Sequence, residues 1–196
     1  MDTLSPTELD EWRARFDADR TDAGAAIEAT LTDSLETTDH LTADQLGEAI
    51  EWKLGSQGGR AELNRRRLSR VVDNASGIDR VVRNVTRAAF TPAPSHELED
   101  GAFSEADRGM IKHQLDLLSA LPGVGAATAT VVLTFNDPTN YAVGDRYLFG
   151  ALLGEERPVT AGNYPDLLAE LRTRTPAGLP LREAEKAYYK WYAERR

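Results

Sequence analysis

Apolar residues return every three to four positions through most of this chain, the spacing of helices buried along one face. Ser5-Pro-Thr-Glu-Leu supplies a cap and a first turn with Pro6 at the first helical position, and Leu9, Trp12 and Phe16 follow at helical spacing, predicting a helix over 5–16. A second helix is predicted over 42–54, with Leu46, Ile50 and Leu54 on one face. The breaker cluster Gly55-Ser-Gln-Gly-Gly59 ends it. Helices are expected over 60–74, with Leu63, Leu68 and Val71 inward, and over 78–90. Thr91-Pro-Ala-Pro-Ser95 reads as a loop that continues through the acidic stretch to Gly101.

Ser104-Glu-Ala-Asp107 is a variant capping box, and Met110, Ile111, Leu115, Leu118 and Leu121 repeat behind it. Pro122-Gly-Val-Gly125 stops that helix. A new one is predicted over 126–135, rich in small and β-branched residues that imply close packing. After the turn 136–140, helices are expected over 145–153, 166–174 and 182–195. The last carries a stripe of Ala184, Tyr188, Trp191 and Tyr192. No segment alternates as a half-buried strand does. The expected class is all-α, divided into an acidic helical extension over 1–40 and a main domain over 41–196.

Charge is unevenly distributed along this pattern. The chain has 196 residues and net charge −9, yet residues 1–51 carry −11 while residues 52–90 carry +6. Arg outnumbers Lys 19 to 4, and Asp and Thr are frequent, a composition like that of salt-adapted proteins, in which acidity serves solubility. Net charge therefore does not exclude a polyanionic partner. The absence of cysteine excludes disulfides, thiolate zinc sites and iron–sulfur clusters. His40, His96 and His113 form no metal-ligand spacing. No apolar run is long enough for a membrane span, and the polar, acidic start is unlike a secretory signal, so a cytoplasmic protein is expected.

The chemistry concentrates in Leu121-Pro-Gly-Val-Gly125. Gly123 and Gly125 let the backbone turn sharply and approach another chain closely. Val124 is placed to plug between the two helices. The amides of Gly123, Gly125, Ala126 and the following turn, at a helix N-terminus, make an anion site for which phosphate is the natural ligand. Two phosphates held this way give a salt slope of only about −2. Arg60, Arg65, Arg66, Arg67 and Arg70 are candidates for the remaining contacts, the alternative being a solvated helix face.

This segment, with Thr128-Ala129 after it, resembles the helix-hairpin-helix of the base-excision DNA glycosylase superfamily. The resemblance covers Met110–Leu153 closely and Ala43–Arg195 loosely. It is strongest to an uncharacterised prokaryotic group that shares Trp52-Lys53, Val85-Thr86, Tyr141 and the aromatic C-terminal helix at Tyr188 and Trp191. The resemblance implies a glycosylase-like all-α fold, duplex DNA as partner and contacts at Gly123, Val124, Gly125, Ala126 and Thr128. It also implies a catalytic aspartate after the hairpin, and Asp145 stands 20 residues beyond Gly125.

The implied reaction is hydrolysis of a base N-glycosidic bond, the carboxylate stabilising positive charge on the sugar. Trp52, Tyr141 and Tyr147 are the candidate base-pocket residues, each with core packing as the alternative. Asp145 has helix capping as its alternative. Ala127 occupies the place where strand-cutting members carry a lysine, which removes Schiff-base chemistry at that position. Asp145-Arg146-Tyr147 also departs from the group's Asp-x-Arg. No cofactor is required, although the hairpin turn leaves room for a monovalent cation. The competing reading is a non-catalytic helix-hairpin-helix DNA-binding protein.

Overall fold

The structure, a computed structural model, describes residues 3–55, 61–91 and 94–196, without the side chains of 61–65 and 67. Among the described residues the chain is all-α. Its helices are α1 (Pro6–Asp19), α2 (Asp22–Thr37), α3 (Ala43–Gly55), α4 (Ala61–Val72), α5 (Ala75–Phe90), α6 (Glu105–Ser119), α7 (Ala126–Asn136), α8 (Arg146–Leu153), α9 (Tyr164–Arg174) and α10 (Leu181–Arg195). The two strands are β1 (Leu98–Glu99) and β2 (Ala102–Phe103), a minimal antiparallel hairpin pairing Leu98 with Phe103. None of the described helices is long and apolar enough to cross a membrane.

Local chemistry starts these helices. Ser5 and Glu8 close a full capping box on α1, with Pro6 in its first turn. At α6 only half of the expected box forms. Ser104 Oγ accepts from Asp107 N at 3.1 Å and donates to Asp107 Oδ2 at 2.7 Å, but the carboxylate accepts from Ser95 N at 2.7 Å and Ser95 Oγ at 2.8 Å rather than from Ser104 N. Asp107 thereby ties the 91–101 connection to α6.

The interior is organised around α7. Every residue of it from Thr128 to Phe135 is buried, so α7 is a core helix with no solvated stripe. Its threonines make this tolerable by bonding back into their own helix, Thr130 Oγ1 to Ala127 O at 2.8 Å and Thr134 Oγ1 to Thr130 O at 2.7 Å. Around it pack α2, α3 and α6. Thr86 on α5 holds the segment leading into α3, accepting from Leu41 N at 2.9 Å.

One hydrophobic core runs from the N-terminal helices into the rest, with Leu9, Leu31 and Leu35 buried in the same cluster as Leu115, Val131 and Trp191. α1 lies along α10. The phenol of Tyr188, inside the predicted stripe, accepts from Leu4 N at 3.3 Å.

Beside β2 lies a buried histidine. His96 has φ of 58°, is 6 % exposed, and stands edge-on to Tyr141 with ring centroids 5.0 Å apart. Neither ring nitrogen has a hydrogen-bond partner among the described residues. Burial and the nearby Arg172 push its pKa down to about 4, against the opposing pull of Asp137 and Asp107. The unfolded chain takes up this proton near pH 6.5, and the folded chain only near 4. Between these values the unfolded state binds more protons. The stability tied to His96 is therefore complete above about pH 6.5 and is lost as pH falls through that window. We expect the His96 ring resonances to titrate near 4 by NMR, and the acid loss of stability in urea to be shallower in His96→Asn.

Candidate functional site

The corner between α6 and α7 is a tight turn in which Val124 N donates to Leu121 O at 3.2 Å. Pro122 follows Leu121, and Gly123 has φ of 78°, the left-handed value that a type II turn demands at its third position. Val124 is buried between the helices, as its apolar character predicts. Gly125 is exposed and caps α7 with extended backbone, offering no side-chain cap. The first return bond of the helix is Ala129 N to Gly125 O at 2.9 Å, so the amides of Ala126, Ala127 and Thr128 have no intrahelical acceptor. Together with Gly123 and Gly125, they donate to no group among the described residues. The Thr128 side chain is buried, which leaves its amide as the only donor it can turn toward a ligand.

A cation at this turn would be held by main-chain carbonyls. The residues from 120 to 125 have no side-chain oxygen, and the carbonyls of Leu118 and Leu121 already accept amides of the turn.

Asp145 follows an extended segment that is laid against α7. Tyr164 Oη donates to Ala142 O at 2.6 Å, and Gly144 N donates to Thr130 Oγ1 at 2.9 Å. A Cβ at 144 would meet Val159 at 3.0 Å, Thr130 at 3.2 Å and Tyr164 at 3.3 Å, so any larger residue requires these side chains to give by a few tenths of an ångström. Thr130 is one helical turn, about 6 Å, beyond Ala126. Asp145 and the hairpin amides therefore belong to one braced unit.

Asp145 is the N-cap of α8. Its Oδ1 accepts from Tyr147 N and Leu148 N, both at 2.9 Å, which realises the capping alternative. Its Oδ2 accepts no hydrogen bond from the described residues, and the residue is half-exposed on the wall of a cleft of about 540 Å³. That size is typical of small-molecule sites.

Three other groups of elements build the cleft. Phe16, Arg20 and Ile27 come from α1, α2 and the link between them. Trp52 and Lys53 come from α3. Arg182, Glu185, Tyr189 and Lys190 come from α10. Segment 1–40 thus supplies one wall of the cleft.

The electrostatics of that wall are organised by Arg182, whose side chain is 3 % exposed. It donates to Glu28 through Nε at 3.1 Å and Nη2 at 2.9 Å, and through Nη1 to Glu185. Its guanidinium also lies 5.2 Å from the ring of Trp52 and 5.4 Å from that of Phe16. Burial alone would raise the pKa of Glu28, but Arg182 and Arg20 override it and hold the carboxyl below its ordinary value. For Glu185 burial prevails and its pKa is raised. Burial also pushes the Lys53 amine down, against the pull of Asp145 and Glu185.

Of the predicted pocket residues, only Trp52 lines the cleft. Tyr141 is 3 % exposed and donates to Gln114 Oε1 at 2.7 Å, inside the core. Tyr147 stacks in a surface cluster with Tyr189 and the guanidinium groups of Arg146 and Arg196, clear of the cleft lining. Tyr189 takes the place expected of these tyrosines. Its apolar setting between Ala187 and Trp191 on the C-terminal helix was visible, but which face it served was not. Arg66 and Arg70 are exposed on α4 and do not line the cleft. The side chains of Arg65 and Arg67, and all of Arg60, lie outside the described residues.

The turn's two glycines separate ligand contact from folding. A Cβ on Gly125 meets nothing within 4 Å, so Gly125→Ala is expected to leave thermal stability intact. Gly123→Ala places a side chain at φ of 78° and is expected to cost about 1–2 kcal/mol. Measured by thermal melts and by fluorescence anisotropy on a labelled duplex, Gly125→Ala should weaken DNA binding without lowering the melting temperature. A loss of both together would make the turn a structural corner only.

In comparisons with known proteins, no family model, no curated protein and no solved structure matches this chain.

Proposed function

We propose that this protein binds duplex DNA through the turn before α7 and hydrolyses a base N-glycosidic bond at Asp145, as a cytoplasmic base-excision glycosylase-like enzyme. The observation that carries this reading is the braced pairing of two features. A run of amides without protein acceptors opens on one end of α7, and a carboxylate with a spare oxygen stands on a cleft wall fixed to the same helix.

The chemistry follows from the parts. The amides of Gly123, Gly125 and Ala126 hold a phosphate, and exposed Arg70 on α4 adds a weaker, salt-sensitive contact. The target nucleotide leaves the stack, at a cost of a few kcal/mol, and enters the cleft beside Trp52. As the base departs with the bonding electrons, positive charge grows on the sugar. Asp145 Oδ2 stabilises that charge and takes a proton from the attacking water.

The test is direct. Duplexes carrying uracil, alkylated purines, 8-oxoguanine or mismatches are incubated with the protein and then treated with alkali. Strand breaks that depend on the protein and vanish in Asp145→Asn are the expected result. Duplex binding with no base release from any substrate overturns the enzymatic part. It would leave the second reading, a non-catalytic DNA-binding protein, which is favoured by the two amides that Asp145 Oδ1 already caps.

A further inference from the structure

A row of aromatic rings leads from the cleft onto the outer surface, and the proposed hydrolysis does not use it. Phe16 and Tyr189 line the cleft, edge to face with centroids 5.9 Å apart. Tyr147 is the next ring outward, 5.7 Å from Tyr189, and Tyr192 lies 6.3 Å from Tyr147. Two helices build the row. Tyr189 and Tyr192 are three positions apart on α10 and share a face. Arg146 and Tyr147 open α8 directly after Asp145. Gly150 lets the two helices meet, since a Cβ there would collide with the Tyr192 ring.

Cations cover the outer part of this row. The guanidinium groups of Arg146 and Arg196 each lie 4.8 Å from the Tyr147 ring centroid. Each donates one N–H to Tyr147 Oη, at 3.1 Å from Arg146 and 2.7 Å from Arg196. Their side chains are 58 % and 46 % exposed, and they share one carboxylate, Glu156, at 3.8 Å and 2.9 Å. Packing of α8 on α10 accounts for Tyr192. It does not account for an excess of positive charge on Tyr147 in a chain whose net charge is −9.

Across the cleft the ratio is reversed. By the α1–α2 link each cation meets two carboxylates, Arg20 with Asp17 at 3.6 Å and Glu28 at 2.9 Å, and Lys190 with Asp19 and Glu194. Glu51 on the α3 wall is exposed. A polyanion leaving the cleft is repelled on those sides and drawn over α8 and α10. Tyrosine rings and guanidinium planes stack with bases, and the remaining guanidinium N–H groups hold phosphate oxygens. Bases inside a duplex are already paired and stacked, whereas those of a single strand have a free face.

We infer that Tyr147, with Arg146 and Arg196, is a docking platform for an unpaired stretch of DNA beside the nucleotide held at Asp145. The inference deepens the proposed function and rests on it for the identity of the ligand. The preferred substrate is then a duplex with an overhang or gap next to the target base, rather than a continuous one.

The experiment uses the full chain and three labelled probes of one sequence, a blunt duplex, the same duplex with a single-stranded overhang, and the single strand, compared by fluorescence anisotropy. A 5-iodouracil in the unpaired stretch couples on irradiation to an aromatic ring stacked on it, and peptide mapping locates that ring. The overhang probe is expected to bind about tenfold more tightly than the blunt duplex, the worth of one stacked base. Tyr147→Leu should lose that advantage and keep its affinity for the blunt duplex. Replacing both exposed arginines, Arg146→Gln with Arg196→Gln, should make the salt slope of the overhang probe shallower by about 1.4, the share of two phosphates on a single strand. The cross-link is expected on the row of Tyr147, Tyr189 and Tyr192. Because it is mapped on the unaltered chain, the test stays decisive even where Tyr147→Leu fails to fold.

Equal affinity for blunt and overhang probes, or cross-links confined to rings off the row such as Trp12 or Trp52, overturns the inference and leaves the duplex reading standing. Single-strand binding with the expected cross-link, but no affinity for the blunt duplex, keeps the platform and overturns the duplex role of the turn before α7. Failure to bind any of the three probes overturns both.

Discussion

Arg182→Ala is expected to destabilise the fold by about 3–5 kcal/mol, the range for removing one partner from a buried ion cluster. For a chain of this size that is a fall of about 10 °C in melting temperature. The argument lies in what the substitution leaves behind. The Glu185 side chain is 4 % exposed and that of Glu28 is 12 % exposed, and both carboxylates face the guanidinium. Glu28 keeps Arg20 at 2.9 Å, so its charge stays compensated. Glu185 loses its hydrogen-bonded partner while its pKa is already raised by burial. Without Arg182 that rise grows.

An acid whose folded pKa is raised regains stability as pH falls through it. The deficit of Arg182→Ala relative to the unaltered protein should therefore shrink toward acid pH. Adding Glu185→Gln should recover part of it at neutral pH. Urea unfolding of the four proteins of this double-mutant cycle measures the coupling. A deficit independent of pH and unrelieved by Glu185→Gln would show that Arg182 acts through packing on Trp52 and Phe16 alone. Such a buried network is also little screened by salt.

That cluster shows where reading the chain alone stops. Helix positions follow local rules, and α1, α3, α5, α7 and α10 lie within a few residues of the periodicity of their apolar residues. The corner at Pro122–Gly125 is equally local, since its geometry needs only a proline and a left-handed glycine. Helix α2 was not anticipated. Ile27, Leu31 and Leu35 carry a helical stripe and Thr21 caps it, accepting from Gly24 N at 3.1 Å, but four threonines from 30 to 38 blur the propensity. The β1–β2 hairpin is two residues per strand, too short for alternation to register.

The cleft is non-local in every part. Glu28 and Arg182 are 154 positions apart, and nothing in either neighbourhood announces the other. Tyr141 shows the opposite error. An aromatic before the aspartate suggested a pocket wall, yet the extended segment from 141 to 144 is buried throughout and turns that ring toward Gln114 and His96. Trp52 stands out as an aromatic beside Lys53, but it lies about half a turn from the face of Ile50 and Leu54, so that face does not place it. Lys53, its neighbour, could be noticed as a motif but not assigned to the Asp145 cleft until α8 and α10 were in position.

Asp145 carries the second large expected effect, and its two roles can be pulled apart by choice of substituent. As an N-cap, aspartate, asparagine and serine are nearly equivalent, whereas alanine costs about 1 kcal/mol. As the charged group at the sugar, none of the three replaces it. Loss of a general acid–base group lowers rates by about 10² to 10⁴. Asp145→Asn and Asp145→Ser are therefore expected to melt close to the unaltered protein, to bind duplex DNA at least as well, and to lose base release by that factor. Asp145→Ala should lose the same activity and in addition about 1 kcal/mol of stability. The order of the three variants decides between the roles. If release falls in step with melting temperature, with Asn and Ser nearly active and Ala impaired, the carboxylate is a cap and the chemistry lies elsewhere in the cleft. If release is equally low in all three while only Ala is destabilised, the oxygen left unbonded by the helix, Oδ2, is the one that meets the sugar.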